Sequence, residues 1–543
     1  MVFARRSTTL LAAIIASCAM VLSLTACTSD NKTVVDGQTT VTSNSAGGVA
    51  VFTPSDGITL NQQTPLNKWA KLVPDLAKAL ADAGFKKGDI DHTTSDSLAK
   101  QSRAIQDFVV DHLSNNTTDD SGIAIAPDNM TLLVAPVVEA DASTRQYGDY
   151  ISQNLSTNDV TDEGATSDGD SSEDSSSKDD SSNTESDSTA SDEQAQAVDR
   201  LVSSLKLAKE SGMHVVLLGN SIEGYRPDAF VKFSDAQTIG KLQAEKMVSK
   251  LKLDKASKDN PKYIEVLLPY TAVDEKGNAN DSTFAQEAFR GIWQVLGSYY
   301  QKGVVESPSG TLDGKSTEND WQAVAYDAAK EGSTAKVLDK RLAKTDGQST
   351  LTRIDGIITM NDYIASEVVK ELDDLGYTGS AADINPQITI SGIVGNITGK
   401  KDLSRDAVPD PIKSPENDNA NDSSSSDDDA DEDTSASDKD RDSQWPLVTG
   451  YGAYVSNIPS IVNGKQWMTG MEDRQTIATD IAQACAKLNK DEALNSMPSI
   501  RNSEVGGVKK IPTISEPLLA VSASNLKSAL IDPGYISLAD AGL

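Results

Sequence analysis

Cysteine and histidine are both scarce in this 543-residue chain: Cys18, Cys27 and Cys485 against His92, His112 and His214. No metal-spaced Cys/His pattern or nucleophile elbow accompanies any of them, and His214 falls inside an expected strand. A zinc centre and an imidazole-based catalytic site are therefore not expected, and neither is a cofactor. Basic residues are also few, 49 Lys+Arg against 81 Asp+Glu, for a formal charge of −32. Such a chain repels polyphosphate, so no nucleic-acid partner is expected. Aromatic residues make up only 5% of the chain.

The acidity is concentrated. Ser156 to Glu193 holds 13 acids and one Lys, and Pro415 to Gln444 holds 12 acids and two basic residues. These stretches account for −22 of the −32, leaving a chain of ordinary composition that carries about −10. They are Ser/Asp/Asn/Thr-rich and almost without apolar residues, so burial cannot offset the entropy of ordering them. They read as disordered acidic insertions in loops, where closure entropy grows only logarithmically with length. Calcium capture is the sharper alternative, but no spaced loop with a glycine turn and a terminal Glu is present. The remaining length suits two domains of roughly 100 to 200 residues each.

The N-terminus pairs Arg5-Arg6 with an apolar run from Leu10 to Leu24, followed by Leu24-Thr25-Ala26-Cys27. A basic n-region, a short h-region and small residues before a cut site describe a secretory signal. The run is short for a transmembrane helix and gives way quickly to polar sequence. Cys27 after Leu-Thr-Ala looks like the lipobox of bacterial lipoproteins, which implies a diacylglycerol on Cys27 and anchoring at the extracytoplasmic face of the membrane. A plain signal peptide with a chance cysteine is the alternative. Once the signal is cut and Cys27 acylated, Cys485 has no disulfide partner, so stability must come from an apolar core. Cys485 lies in the helical stretch Ile477 to Leu488 and reads as a buried small residue.

Residues 28 to 46 have the composition of a flexible tether. A strand is expected at Gly47 to Phe52, then a helix whose Trp69, Leu72, Val73, Leu76 and Leu80 share one face. A helix at Ser97 to Leu113, a strand at Met130 to Ala135, a helix near Gln146 to Leu155, a helix at Gln194 to Glu210 and a strand at His214 to Leu218 follow. After Phe233-Ser234-Asp235 the alternation restarts. Helices are expected at Ala236 to Leu251, Phe284 to Tyr300, Trp321 to Glu331 and Ile364 to Leu375. Strands are expected at Tyr263 to Leu268, Gly303 to Val305, Gly356 to Met360 and Gln387 to Ile390. Strand and helix in alternation predict an α/β protein with two doubly wound parallel sheets. Ligands of such sheets bind beyond the carboxyl ends of the strands, here in a cleft between two lobes.

Several strings resemble bacterial type I periplasmic sugar-binding lipoproteins of ABC transporters, most of all the D-xylose-binding branch. They are Ile511-Pro512, Glu516-Pro517, Ser524-Asn525-Leu526 and Leu530 to Tyr535 near the C-terminus, Val231 to Ala244 at a first crossing between lobes, Met360-Asn361-Asp362 at a strand end, and Asn463 to Thr469. The resemblance runs from Val49 to the end of the chain, interrupted by the two acidic stretches. It implies a signal peptide at 1–26, a tether at 27–46, an N-terminal lobe of 47–232 and 470–500 with an insertion at 155–195, and a C-terminal lobe of 233–469 and 501–543 with an insertion at 400–444. A multi-stranded hinge would join the lobes. It further implies a monomer that binds a sugar-like small molecule and hands it to an ABC permease.

The pocket departs from the resemblance more than the frame does. The family's Tyr-Asp-Arg becomes Leu218-Gly219-Asn220, its sugar-binding Asp segment becomes Gly450 to Tyr454, and its Tyr-Lys becomes Met471-Glu472. Ligand-binding candidates carried over by position are Asn361, Asp362, Asn220, Lys68, Trp69, Asp281 and Tyr451. Asp and Arg side chains grip sugars by paired hydrogen bonds, and each lost charged bond removes roughly 1.5 to 3 kcal/mol. A different ligand or weak binding follows. For Asn361-Asp362 the structural alternative is an N-cap on the helix that follows; for Tyr451 and Tyr454 it is core packing. No enzymatic activity is expected, although a paired-carboxylate glycosidase needs no sequence proximity and stays open. The competing class is a surface sensory or interaction lipoprotein that keeps the frame but not the sugar pocket.

Overall fold

The computed structural model describes residues 32–35, 38–41, 46–55, 65–115, 125–138, 144–151, 153–156, 185–273, 280–343, 351–381 and 445–543. The signal segment, Cys27, most of both acidic stretches and the strand expected at 387–390 lie outside them. The chain divides into Met1–Asn44 and Ser45–Leu543. In the first unit Lys32–Val35 pairs antiparallel with Gln38–Val41, Lys32 opposite Val41. The β-branched residues of this part of the expected tether flank Asp36-Gly37, a sequence signal for a hairpin.

The second unit alternates strand and helix along the chain: Gly48–Pro54 (β1), Trp69–Asp82 (α1), Ile90–Ser95 (β2), Leu98–Asn115 (α2), Met130–Val134 (β3), Glu185–Glu210 (α3), His214–Leu218 (β4) and Ala229–Val231 (β5). Then come Ala236–Lys250 (α4), Lys262–Val266 (β6), Thr283–Gln301 (α5), Val305–Glu306 (β7), Ser333–Arg341 (α6), Gly356–Ile358 (β8), Asp362–Asp374 (α7), Leu447–Tyr451 (β9), Met468–Met471 (β10) and Arg474–Leu488 (α8). Ile500–Val505 (β11), Val508–Ile514 (β12) and Leu519–Ser522 (β13) complete the strands.

These strands form two sheets. One has the order β11-β12-β5-β4-β3-β1-β2, parallel except for the β11/β12 pair. The other has the order β7-β6-β8-β9-β10-β13, parallel except for the β10/β13 pair. Central strands such as Met130-Thr131-Leu132-Leu133-Val134 are buried on both faces, which explains their unbroken apolar runs. In the first lobe α1 and α8 cover one face, with Leu72, Leu76 and Leu80 packed near Ile477 and Ile481, while α2 and α3 cover the other with Ile105, Val109, Leu201 and Leu205. In the second lobe α4 and α5 pack on one face and α6 and α7 on the other. This is the doubly wound, two-lobed α/β class expected from the alternation.

The chain crosses between the lobes three times: at 232–235 between β5 and α4, at 472–473 between β10 and α8, and at 515–518 between β12 and β13. The last crossing corrects the expected lobe division. Residues 501–514 belong to the N-terminal sheet, where Thr513 pairs with Phe230 and Ile514 with Val231. Three local expectations also change. Gln146 to Leu155 is not a helix but a 3₁₀ turn at Arg145–Tyr147 followed by a short strand at Asn154–Leu155. Gly148 between them has φ +99, and a Cβ there would stand 2.5 Å from the Asn67 carbonyl oxygen, so the chain turns where a helix would have continued. The helix from Trp321 stops at Val324, because Ala325–Tyr326 pairs with Leu268–Pro269 instead. The strand expected at Gly303 to Val305 forms at Val305–Glu306, after Gly303 has turned the chain at φ +64.

Candidate functional site

The site is built where β6, β8 and β9 of the C-terminal lobe end. Two non-glycine residues there are left-handed, Met360 after β8 (φ 68) and Ala453 after β9 (φ 50). Conformations of this kind concentrate at binding sites, because surrounding structure must hold them in place. The buried Gln243 of α4 does part of this, donating its Nε2 to the Met360 carbonyl at 3.0 Å.

Asn361 follows in extended conformation and caps α7: its Oδ1 accepts from the Ile364 N–H at 2.9 Å. The capping alternative thus holds, with Asn361 rather than Asp362 as the cap. Asp362 is 0% exposed and turned into its own lobe. Its Oδ1 accepts from Gln466 Nε2 at 2.7 Å, and its Oδ2 accepts from the Tyr454 N–H and Thr469 Oγ1, both at 2.9 Å. Burial pushes its carboxyl up to about 6 against the opposing pull of these donors. Gly450 makes the arrangement possible, since a Cβ there would stand 2.2 Å from Asp362 Oδ1.

The facing wall comes from the segment Thr144 to Ile151, beyond β3 in the N-terminal lobe. Asn361 Nδ2 donates to Gln146 Oε1 at 3.1 Å, and the Tyr454 hydroxyl donates to the Gln146 carbonyl at 2.6 Å. Tyr147 is 1% exposed and packs in the core of the opposite lobe, its ring centroid 4.7 Å from Phe284 and 6.2 Å from Tyr451. Burying one such ring stabilises by roughly 2 to 3 kcal/mol, and an aromatic partner adds about 1 kcal/mol. Each lobe-to-lobe hydrogen bond contributes about 1 kcal/mol more.

Lys68 and Trp69 anchor this wall from behind. Asp149 accepts from Lys68 Nζ at 2.7 Å and from the Trp69 N–H at 3.1 Å, and the Tyr150 hydroxyl donates to the Lys68 carbonyl. Trp69 meets Tyr150 edge-on at 5.1 Å and Phe233 at 5.7 Å, and Tyr150 stacks on Phe233 at 4.7 Å. Beneath lies the hinge. Buried Glu472 accepts from the Ser234 N–H at 2.6 Å, and the Tyr451 hydroxyl lies 2.5 Å from Ser234 Oγ. Burial raises the Glu472 carboxyl to about 7 and the Tyr451 hydroxyl well above its usual value.

The sequence candidates therefore separate. Asn361 and Tyr451 each contact the Gln146-Tyr147 pair at the cleft; Lys68 and Trp69 support its N-terminal wall. Asn220 stays within the N-terminal lobe, donating to the Pro136 carbonyl and accepting from the Gln153 N–H. Asp281 is exposed and holds the first turn of α5 through the Thr283 N–H at 2.9 Å. Sequence reasoning missed Gln146, Tyr147, Asp149, Ser234 and Phe284. For Tyr147 and Phe284 a signal existed in the sparse aromatics, several of which gather here; Gln146, Asp149 and Ser234 carried none. A groove of 460 Å³ lined by Asp228, Leu488, Glu492, Ile500, Asn502 and Pro512 lies at the opposite, amino ends of the N-terminal strands.

Two doubly wound lobes joined by three crossings, with a site between strand ends, define the class. No family model and no curated protein matches the chain. Among solved structures it is similar to an ABC transporter solute binding protein from Clostridium phytofermentans with bound beta-D-glucose, at 17% identity over 91% of this chain and 99% of that one, with a TM-score of 0.44. It is also similar to a carbohydrate transporter solute binding protein from Chloroflexus aurantiacus in complex with D-glucose, at 19% identity over 92% and 98% of the two chains, with a TM-score of 0.42. A periplasmic ribose ABC transporter protein from Conexibacter woesei shares 13% identity over 90% and 96%, with a TM-score of 0.42.

Proposed function

We propose that this protein is an extracytoplasmic solute-binding lipoprotein that captures a small polar ligand, a monosaccharide or a related sugar, between its lobes. It delivers the ligand to an ABC permease, performs no catalysis, acts as a monomer and is held at the membrane by a lipid on Cys27. Its sequence strings resemble those of the D-xylose-binding branch most of all. The observation that carries the proposal is the facing of Asn361 and Gln146 across the cleft, at the strand ends where such sheets bind ligands. A ligand that contacts both lobes at this point favours the closed arrangement and shifts the population toward it. Isothermal titration of the mature domain against a monosaccharide panel should give saturable heat; no heat and no thermal stabilisation with any member would sink the proposal. Cys27→Ala should move the protein from the membrane fraction to the soluble extracytoplasmic fraction.

One observation favours a second function: Gln146 and Tyr147 already fill the meeting point of the strand ends. In that case the protein is a surface sensory or interaction lipoprotein on a retained binding frame. A permease and an ATPase encoded beside its gene would count against this alternative.

A further inference from the structure

The C-terminal lobe presents three strand ends to the cleft, and the Gln146-Tyr147 pair of the other lobe touches residues beyond each of them. Phe284, which follows β6, lies against the Tyr147 ring; Asn361, which follows β8, donates to the Gln146 amide; and Tyr451 at the end of β9, with Tyr454 just beyond it, meets the Tyr147 ring and the Gln146 carbonyl. A pyranose bound at this point would need the same things: an aromatic surface for its C–H face and an amide donor for a hydroxyl. The pair supplies a flat ring and amide and carbonyl acceptors in their place. It is held from behind by Lys68 and Trp69 through Asp149, and Gly148 allows the tight turn.

We propose that Gln146 and Tyr147 act as a built-in occupant of the sugar position, latching the lobes together without ligand and setting a threshold that a ligand must exceed. This deepens the proposed sugar-binding function and rests on it. A monosaccharide enters only when Tyr147 leaves the aromatic nest of Phe284 and Tyr451, so its apparent affinity is reduced by the fraction of molecules still latched. The latch thereby decides specificity: a ligand able both to stack and to pair with Asn361 displaces it, whereas a ligand offering only one of these contacts does not.

The test reads lobe separation and binding separately. Spin labels at the exposed positions Lys87→Cys and Gln301→Cys, far from the cleft in the two lobes, report their distance in the full chain. The otherwise unchanged protein should show one short distance without sugar. Tyr147→Ala should add a longer-distance population, and Tyr147→Phe, which keeps the ring, should retain the short one. Titrating D-glucose and D-xylose into Tyr147→Ala should restore the short distance at concentrations about tenfold lower than the parent protein needs for a thermal shift. If Tyr147→Ala keeps only the short distance, the latch is wrong. If its lobes separate but neither sugar brings them back, the latch stands and the sugar-binding function fails. Should Tyr147→Ala not fold, Phe284→Ala, which removes the half-buried ring that Tyr147 packs against, must lengthen the distance, and an unchanged distance overturns the proposal.

Discussion

Asp362 shows how one side chain can look like a ligand grip and serve the frame. Its two oxygens gather three donors from β10 and from the loops around it, fixing the turn that carries Ala453 and Tyr454. Asp362→Ala takes from the buried Tyr454 N–H its acceptor and from Gln466 Nε2 and Thr469 Oγ1 their shortest one, and should cost about 3 kcal/mol in urea unfolding. Asn361 has two separable tasks. Asn361→Ala loses the cap of α7 and should cost about 1 kcal/mol, whereas Asn361→Ser keeps a capping oxygen and should recover most of that while still losing the bond to Gln146. A larger loss for Ser than for Ala would show that capping is not what Asn361 contributes. The strand-to-helix step at Asn361-Asp362 was legible in the sequence. Which of the two residues caps and which is buried was not, because both types cap equally well and only Gly450 and Gln466, about 90 to 100 residues away in sequence, settle it.

Among the elements, the hinge carries the most unusual chemistry. Glu472 is buried at the second crossing and holds the first through Ser234, with Tyr451 beside it. Desolvation is the main cause of its raised carboxyl, about 7 in the fold against 4.5 ordinarily, and the Asp235 charge adds to it. A carboxyl raised on folding contributes stability that is complete below about 4.5 and is lost as pH rises through about 7. Asp362 acts in the same sense at lower pH, losing its contribution between 3.8 and about 6. The urea midpoint should therefore fall from pH 5 to pH 8, and Glu472→Gln should flatten the part of that slope above pH 6. An unchanged slope in Glu472→Gln would assign the pH dependence elsewhere. The first crossing was legible at Phe233-Ser234-Asp235 and the second lies within a few residues of its expected place, but the third was misplaced, because each crossing is four residues or fewer and lacks periodicity. The β11/β12 hairpin was given to the wrong lobe for the same reason, since its partner, β5, is a strand of only three residues.

At the scale of the whole molecule, −22 of the formal charge of −32 falls in two stretches of sequence almost without apolar residues. The cores of both lobes are assembled from described residues on either side of the acidic stretches. Replacing 157–184 and 400–444 by short Gly/Ser linkers should shift the melting temperature by no more than about 3 °C and leave ligand affinity unchanged, because shortening a loop alters closure entropy only slightly. The cut should stop before α3. Ala197, Leu201 and Leu205 of that helix are core residues, and the expected insertion of 155–195 would remove its first turns. A large drop in melting temperature or affinity would make the acidic stretches part of the mechanism.

The amino-acid sequence alone determined the alternation of strand and helix, the two sheets and the helix faces that cover them, because these follow from local periodicity and from runs of apolar residues long enough to be buried on both sides. It also carried the few aromatics and the Asn361-Asp362 step. Only the tertiary structure decided what those residues face. Gln146 meets Asn361 across 215 positions, Tyr451 meets Ser234 across 217, and Thr131 reaches Asn489 across 358. Contacts at such separations follow from how the sheets stack and where the chain crosses between lobes. Local propensity carries no record of either, so the sparse aromatics acquired their meaning only when the fold brought several of them together at the cleft.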